Sequence, residues 1–254
     1  MLTQFRVIIP SRYGSTRLPA KALCDINGKP MIQHVYERAC ESGAARVIVA
    51  TDDERIAKVC VKFNAEVCLT SVEHLTGTDR LSEVTQKLNY AQDEIIVNAQ
   101  GDQPLISPEN INQVARNLMM NPQINMSTLC ERIYDHQDLI NPSYVKVVID
   151  KNNCALYFSR SLIPYTKNSD EINLHEQHYY KHMGLYAYRV NVIQQFVNWA
   201  PSECELSESL EQLRFLSNGE KIHIDIAAKP ALFEINTQED LDKVRELFRK
   251  KLVV

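Results

Sequence analysis

The segment FRVIIP, residues 5–10, decides the fold class of this 254-residue chain. It is a short apolar run that ends at a proline, which predicts a buried strand that leads into a loop. Similar apolar runs recur through the first half of the chain and alternate with segments whose apolar residues have helical spacing. Repeated strand and helix units of this length predict a mainly parallel sheet with helices on both faces.

After residues 5–10, the first half of the chain contains three more predicted strands, at 46–50, 66–69 and 95–99. The helices between them have recognisable ends. Pro30 is predicted as a first helical residue with Gly43 closing that helix, and Asp52 or Asp53 as the cap of the next. Further helices are predicted through Leu81, Val84 and Leu88, and from Pro108 to Met119.

The second half predicts a different arrangement. Alternation at 145–149, the turn residues Asn152 and Asn153 and the extended run 155–158 predict a hairpin. Residues 167–177 are polar and lack periodicity, which predicts a loop. Strands are predicted at 182–189 and 222–226, and helices at 190–199 and at 206–216, the latter closed by Gly219. The last helix is predicted to start at Asn236 or Thr237, where residues 237–240 approximate a capping box.

Composition excludes several classes of protein. A formal net charge of -4 and the lack of a basic stripe argue against nucleic-acid binding. The first apolar run is too short for a signal peptide, and no later run has membrane-spanning length, so we expect a soluble cytoplasmic protein. Seven cysteines are scattered singly, which argues against disulfides and a zinc cage. The length suits one main α/β domain with an insertion.

The loop after the first strand is rich in cations. Residues 11–23 contain Arg12, Arg17 and Lys21 among the small residues Gly14, Ser15 and Thr16. In an open α/β sheet such a loop lies at the carboxyl edge of its strand, where ligands bind. Arginine grips phosphate oxygens in pairs and lysine acts as a point charge, so the loop suits a triphosphate and its leaving pyrophosphate. The alternative is a solvated basic loop.

A second chemical segment follows the strand at 95–99. Asp102 comes after Gly101, so its carboxylate is expected at the same edge of the sheet as the basic loop. Magnesium is commonly held by one or two carboxylates together with phosphate oxygens and water. Asp102 is therefore a candidate Mg²⁺ ligand, and the alternative is an ordinary turn residue.

Residues 8–23, IIPSRYGSTRLPAKAL, resemble the opening signature of sugar-activating nucleotidyltransferases. The continuation DINGKPMIQHVYERA resembles the 3-deoxy-manno-octulosonate (Kdo) cytidylyltransferases, or CMP-Kdo synthetases. The similarity covers nearly the whole chain, and further blocks that carry it are ATDDERIAKV, GTDRLSEV, IIVNAQGDQPLI, VKVVIDKNNCALYFSRSLIPY, HMGLYAYR, SLEQLRFLSNGEKIHI and TQEDLDKV.

The resemblance implies a Rossmann-like sheet of the nucleotide-diphospho-sugar transferase type. It implies one cytidylyltransferase domain, residues 1–254, in which 143–190 form a sugar-binding and dimerisation insertion. A homodimer is implied, with 144–165 and the helix near Val192 as the interface. The implied substrates are CTP and a 3-deoxy-octulosonate sugar acid, the implied cofactor is Mg²⁺, and the implied pathway is lipopolysaccharide biosynthesis.

The resemblance also assigns roles to residues. Those implied to be catalytic are Arg12, Arg17, Lys21 and Asp102, the last as a metal ligand. Ser15, Thr78 and Arg80 are implied to contact the nucleotide, although a helix cap with an exposed arginine would explain 76–80 equally well. Those implied to bind the sugar acid are Gln100, Arg160, His182, Tyr186, Glu211 and Gln212. By periodicity alone, Glu211 would lie on a solvated helix face.

The chain departs from the family pattern near the expected metal. Asn236 stands where a second metal-binding aspartate is expected, and Glu234 and Asp240 are the nearby carboxylates that could replace it. Gln103 stands where glutamate is common, and Ala20 and Ala22 replace a glycine and a proline. The same chemistry on 8-amino-Kdo or sialic acid is therefore an alternative, as is a non-catalytic protein that binds CTP or a CMP-sugar.

Overall fold

The computed structural model describes residues 4–15, 17–74, 76–167, 172–174, 176–231 and 233–250. Its centre is a mixed sheet whose strands follow the order β11-β7-β10-β6-β1-β4-β5. The strands of that order are β1 (Phe5–Ser11), β4 (Arg46–Thr51), β5 (Glu66–Leu69), β6 (Ile95–Asn98), β7 (Met126–Arg132), β10 (Tyr180–Arg189) and β11 (Ile222–Ile226).

The sheet is mainly parallel, as the sequence predicts. β1 is parallel to both β4 and β6, β4 is parallel to β5, and β7 is parallel to β11. β10 runs antiparallel between β6 and β7. The carboxyl ends of β1, β4 and β6 therefore lie side by side at one edge, and the loops that follow them can share one site.

Helices cover both faces of the sheet. They are α1 (Met31–Cys40), α2 (Glu54–Lys62), α3 (Gly77–Lys87), α4 (Pro108–Met120), α5 (His136–Ile140), α6 (Val190–Phe196), α7 (Glu203–Glu208), α8 (Gln212–Ser217) and α9 (Gln238–Arg249). β1 shows how the two faces form: Val7 and Ile9 pack in one core cluster and Ile8 in the other, since neighbouring strand residues point to opposite faces.

The predicted hairpin is present as β8 (Lys146–Ile149) and β9 (Ala155–Ser159), which pair antiparallel. Asn153 adopts a left-handed φ of 57° in the turn between them. β8 also pairs with the start of β10, at Tyr180 and Lys181. The hairpin therefore extends the central sheet rather than forming a separate layer. Two short strands, β2 (Asp25–Ile26) and β3 (Lys29–Pro30), form a second sheet.

Several predicted boundaries are wrong. β1 continues through Pro10 to Ser11, and Pro30 is the N-cap of α1 rather than its first residue. The predicted helix 206–216 is two helices, because Ser209 adopts a left-handed φ of 53° between α7 and α8. The predicted cap of α2 is confirmed, and of the two candidates it is Asp53. Residues 168–171 and 175 of the predicted loop lie outside the described residues.

β7 and α5 are absent from the sequence-based prediction. Ser127 and Thr128 interrupt the apolar run of β7, yet both are buried, because Ser127 Oγ donates to Val114 O and Thr128 Oγ1 to Leu185 O, each at 2.8 Å. Such tertiary hydrogen bonds leave no pattern in the local sequence. Among the described residues, no helix is long and apolar enough to cross a membrane.

Candidate active site

The basic loop lies where the sequence predicts, directly after β1 at the carboxyl edge of the sheet. Arg12 and Arg17 are exposed beside the cavity, which Ser15 and Lys21 also line. The guanidinium of Arg12 makes no hydrogen bond or ion pair with other described residues, so its charge remains available for a ligand. Thr16, also predicted in this loop, lies outside the described residues.

Asp102 reaches the same cavity from the loop after β6. Lys21 Nζ lies 2.7 Å from Asp102 Oδ2, and the two side chains are 18% and 25% exposed. Gly101 permits this approach, since a Cβ at that position would lie 2.9 Å from the carbonyl oxygen of Pro10. A side chain there would push the two loops apart.

Asn236 completes the cluster from the segment before α9. Its Oδ1 accepts from Arg17 Nη2 at 2.8 Å and lies 3.5 Å from Lys21 Nζ. The backbone N–H of Ile235 donates to Asp102 O at 3.0 Å and ties the segment to the β6 loop. The structure thus brings together four predicted residues that span more than 200 positions of the chain, from Arg17 to Asn236.

Two carboxylates lie close to Asn236 in the sequence, those of Glu234 and Asp240, and they accept hydrogen bonds from different groups. Asp240 Oδ2 accepts from the backbone N–H groups of Asn236 at 3.0 Å and Thr237 at 2.9 Å, so Asp240 completes the capping box at the start of α9. Glu234 Oε1 instead accepts from Gln103 Nε2 at 2.7 Å. Desolvation raises the pKa of Glu234, and the negative charge of Asp102 raises it further.

The donor set fits a magnesium ion. Asp102 and Asn236 direct oxygens at the same ammonium group of Lys21, so both converge on one position suited to a cation. One carboxylate and one amide oxygen leave most of the coordination to phosphate oxygens and water, which is how Mg²⁺ is commonly bound beside nucleotides. In the described residues, no group of three or more His, Cys, Asp or Glu could hold a metal by itself.

On the other side of the basic loop, α3 begins beside the cavity. Thr76 caps this helix, and Gly77 lines the cavity. Arg80 also lines it but is only 3% exposed, and its Nη2 lies 2.8 Å from Asp52 Oδ2. Asp52 therefore neutralises the charge of Arg80 within the protein. Only the small exposed part of the Arg80 side chain could contact a ligand in the cavity.

His74 lines the cavity and is absent from the sequence-based site prediction. Its Nε2 lies 2.5 Å from Glu83 Oε2. Glu83 also binds Lys87, and after the opposing effect of desolvation these contacts hold its pKa at about 2. His74 belongs to no sequence motif that would indicate a ligand site, and it reaches the cavity only through the fold.

The predicted sugar-binding residues of β10 lie on one face of that strand. His182 Nε2 lies 3.0 Å from Thr128 Oγ1, and its ring is 5.0 Å from Phe158 and 5.2 Å from Tyr186. Burial lowers the pKa of His182 to about 3. The imidazole is therefore neutral near pH 7, and it can orient a sugar carboxylate by hydrogen bonding but cannot neutralise it.

Glu211 lies immediately before α8, beside this face. It accepts a hydrogen bond from the buried hydroxyl of Thr78, and it is partly buried rather than on a solvated helix face. Desolvation raises the pKa of Glu211, opposed by the hydrogen bond from Thr78. Burial raises the pKa of Tyr186, and the neighbouring Tyr188, Glu211 and Glu234 raise it further. Tyr186 is thus close to both carboxylates.

Arg160 is held by backbone groups. Its Nε donates to Glu208 O at 2.8 Å and its Nη1 to Pro142 O at 3.1 Å. Two of its donor nitrogens are therefore occupied, and they fix the guanidinium near the β8–β9 hairpin. Gln212 is 5% exposed at the start of α8, whereas Gln100 lines the cavity beside Asp102.

Comparison with known proteins places this geometry among nucleotidyltransferases. A family model described as Cytidylyltransferase matches residues 6–222. The 3-deoxy-manno-octulosonate cytidylyltransferase 2 of Actinobacillus pleuropneumoniae serotype 5b (strain L20) is 53% identical over 253 residues, which is 98% of this chain and 100% of that protein. The 3-deoxy-manno-octulosonate cytidylyltransferase of Haemophilus influenzae (strain PittEE) is 51% identical over 97% of this chain and 99% of its own length.

Two solved structures of nucleotidyltransferases are also similar to this chain. A CMP:2-keto-3-deoxy-manno-octonic acid synthetase complexed with CTP has a TM-score of 0.90 and 42% identity, covering 98% of this chain and 99% of its own. A 4-diphosphocytidyl-2C-methyl-D-erythritol synthase from Anaerococcus prevotii has a TM-score of 0.61 at 15% identity, covering 97% and 96%. The second likeness concerns the fold alone.

Proposed function

The chain belongs to the 3-deoxy-manno-octulosonate cytidylyltransferase family, and we propose that it transfers the cytidylyl group of CTP to the anomeric hydroxyl of Kdo. The products are CMP-Kdo and pyrophosphate. The observation that carries this proposal is the convergence of Arg17, Lys21, Asp102 and Asn236 at the carboxyl edge of the sheet.

The reaction is a direct displacement. The anomeric oxygen forms a bond to the α-phosphorus of CTP, the bond from that phosphorus to the bridging oxygen breaks, and pyrophosphate leaves while the hydroxyl proton passes to solvent. Arg12, Arg17 and Lys21 hold the triphosphate and stabilise the charge that develops on the leaving group. His182 and Gln100 orient the sugar acid by hydrogen bonds.

Mg²⁺ is the proposed cofactor, held by Asp102 and Asn236. When bound, it would neutralise phosphate charge and lower the pKa of the attacking hydroxyl. Because Asn236 contributes an uncharged oxygen, the protein supplies less negative charge than a pair of aspartates would. This predicts a higher magnesium requirement rather than a loss of the reaction.

We place the enzyme in the cytoplasm, where it would supply CMP-Kdo for lipopolysaccharide biosynthesis. Residues 143–190 are the proposed sugar-binding and dimerisation insertion. Large apolar side chains in this range are exposed, including Leu156 at 60% and Tyr165 at 82%. Sedimentation velocity of the wild type and of Leu156→Asp tests this assignment: a dimer is expected for the first and more monomer for the second.

The test of the proposed function is pyrophosphate release from CTP and Mg²⁺, run with Kdo, 8-amino-Kdo and sialic acid in parallel. Release with Kdo is the expected result. Release with sialic acid alone would support cytidylyl transfer from CTP but reject Kdo as the substrate. If no acid supports release while CTP still binds, the chain is instead a CTP-binding protein and the enzymatic proposal fails.

A further inference from the structure

Glu234 is an acidic residue beside the cavity-lining Asn236, and the proposed reaction does not use it. Part of its surface is exposed, its carboxylate end is partly buried against Gln103, and it lies two residues before Asn236. Its Oε1 is fixed by Gln103 Nε2 at 2.7 Å. The backbone of the next residue, Ile235, is tied to Asp102, so both the side chain and the main chain at this position are positioned by the β6 loop.

The neighbours of Glu234 place it on the side of the sugar acid. A Cβ at Gly184 of β10 would lie 3.6 Å from Glu234 Oε1 and 4.0 Å from Gln103 Nε2. The Gln103–Glu234 pair therefore lies against β10 at Gly184. β10 also carries His182 and Tyr186, whereas the phosphate-binding cations come from the loop after β1.

The charges on this side restrict what the pair can bind. Asp102 is paired with Lys21, whereas Glu211 and Glu234 form no ion pair with another described residue, so these two carboxylates repel the carboxylate of the sugar acid. A carboxylate of the protein accepts hydrogen bonds and cannot donate them when ionised. Glu234 therefore suits a donor group on the sugar, at the end away from the sugar's own carboxylate.

We propose that Glu234, positioned by Gln103, is a specificity-determining residue that binds a donor substituent on the tail of the sugar acid and favours a protonated amino group over a hydroxyl. This inference rests on the proposed function. Hydrogen bonds between charged partners are stronger than those to a neutral hydroxyl, so removal of the Glu234 charge should weaken binding of an amino sugar acid more than binding of Kdo.

The experiment compares kcat/KM for 8-amino-Kdo and for Kdo in the wild type and in Glu234→Gln, which keeps the shape and removes the charge. The ratio of the two values is expected to fall about tenfold or more in the variant, mainly through KM for the amino sugar acid. Glu239→Gln is the matched control, since Glu239 lies exposed on α9 and pairs with Lys243. Its ratio should equal that of the wild type.

The outcomes separate this inference from the proposed function. Activity with an unchanged ratio in Glu234→Gln would overturn the role of Glu234 and leave the function intact. An equal loss with both acids, accompanied by weaker Mn²⁺ binding in a titration followed by electron paramagnetic resonance, would also overturn it and make Glu234 a metal ligand. If the wild type releases no pyrophosphate with either acid, both the proposed function and the role of Glu234 are rejected.

Discussion

At the scale of single residues, the contact between Lys21 and Asp102 joins the two chemical segments of the site. Lys21→Met should remove a cation that we propose to hold the triphosphate, and it should leave Asp102 without its 2.7 Å partner. We expect kcat/KM to fall by roughly 100-fold or more, as for other groups that stabilise a developing charge. The fold should persist, which circular dichroism would check.

Lys29→Met is the control for that change, since Lys29 pairs with Glu37 on the surface and is 46% exposed. Its kcat/KM should match that of the wild type. A Lys21→Met enzyme of normal activity would contradict the assigned role of this lysine.

Asn236 is the residue whose identity departs from the family pattern. Asn236→Asp should add a charge beside Asp102, Arg17 and Lys21 and strengthen metal binding. We expect the Mg²⁺ concentration for half-maximal rate to fall several-fold, and Mn²⁺ binding in the presence of CTP to tighten in parallel. Asn64→Asp, on the exposed turn after α2, controls for the change in net charge. An unchanged metal requirement would argue against Asn236 as a ligand.

At the scale of elements, the start of α9 both stabilises the fold and positions Asn236. Thr237 accepts from the N–H of Asp240, and Asp240 accepts from the N–H groups of Thr237 and Asn236. Thr237→Ala should lower the free energy of unfolding by about 1 kcal/mol, the usual cost of losing an N-cap. It should also raise KM for the nucleotide, because the segment that holds Arg17 becomes less ordered.

Urea denaturation and steady-state kinetics measure the two effects. Thr237→Ser keeps the capping oxygen and should retain most of the stability and the KM of the wild type. Equal destabilisation by serine and alanine would show that the hydroxyl cap is unimportant.

The element scale also shows where sequence patterns succeed. The capping box at 237–240 and the strand at 66–69 are local patterns, and both are confirmed. β7 depends on contacts outside its own segment. Thr128, for example, is buried in β7 because its hydroxyl reaches β10. Local periodicity cannot indicate such a partner.

At the scale of the whole molecule, acid stability should reflect the burial of His182. Burial holds the pKa of its imidazole at about 3 in the folded protein, below the 6.5 of an unperturbed histidine. The unfolded chain therefore binds the proton more readily. The contribution of His182 to stability is complete above pH 6.5 and is lost as the pH falls from 6.5 towards 3.

His182→Asn should accordingly make the decline in stability below pH 6.5 less steep than in the wild type, as measured by urea denaturation at a series of pH values. His136→Asn, on an exposed residue of α5, is the control. Parallel pH profiles for His182→Asn and the wild type would show that the imidazole is not buried in its neutral form.

The amino-acid sequence alone was enough to predict the α/β class, the main strands and helices of the first half, the hairpin at β8 and β9, and the two segments that carry Lys21 and Asp102. These features follow from periodicity, turn residues and motifs, which act over a few neighbouring residues. The tertiary structure was needed to show that Glu234 pairs with Gln103 and that His182 is neutral. Gln103 and Glu234 are 131 positions apart and Thr128 and His182 are 54 apart, and the fold brings each pair into contact.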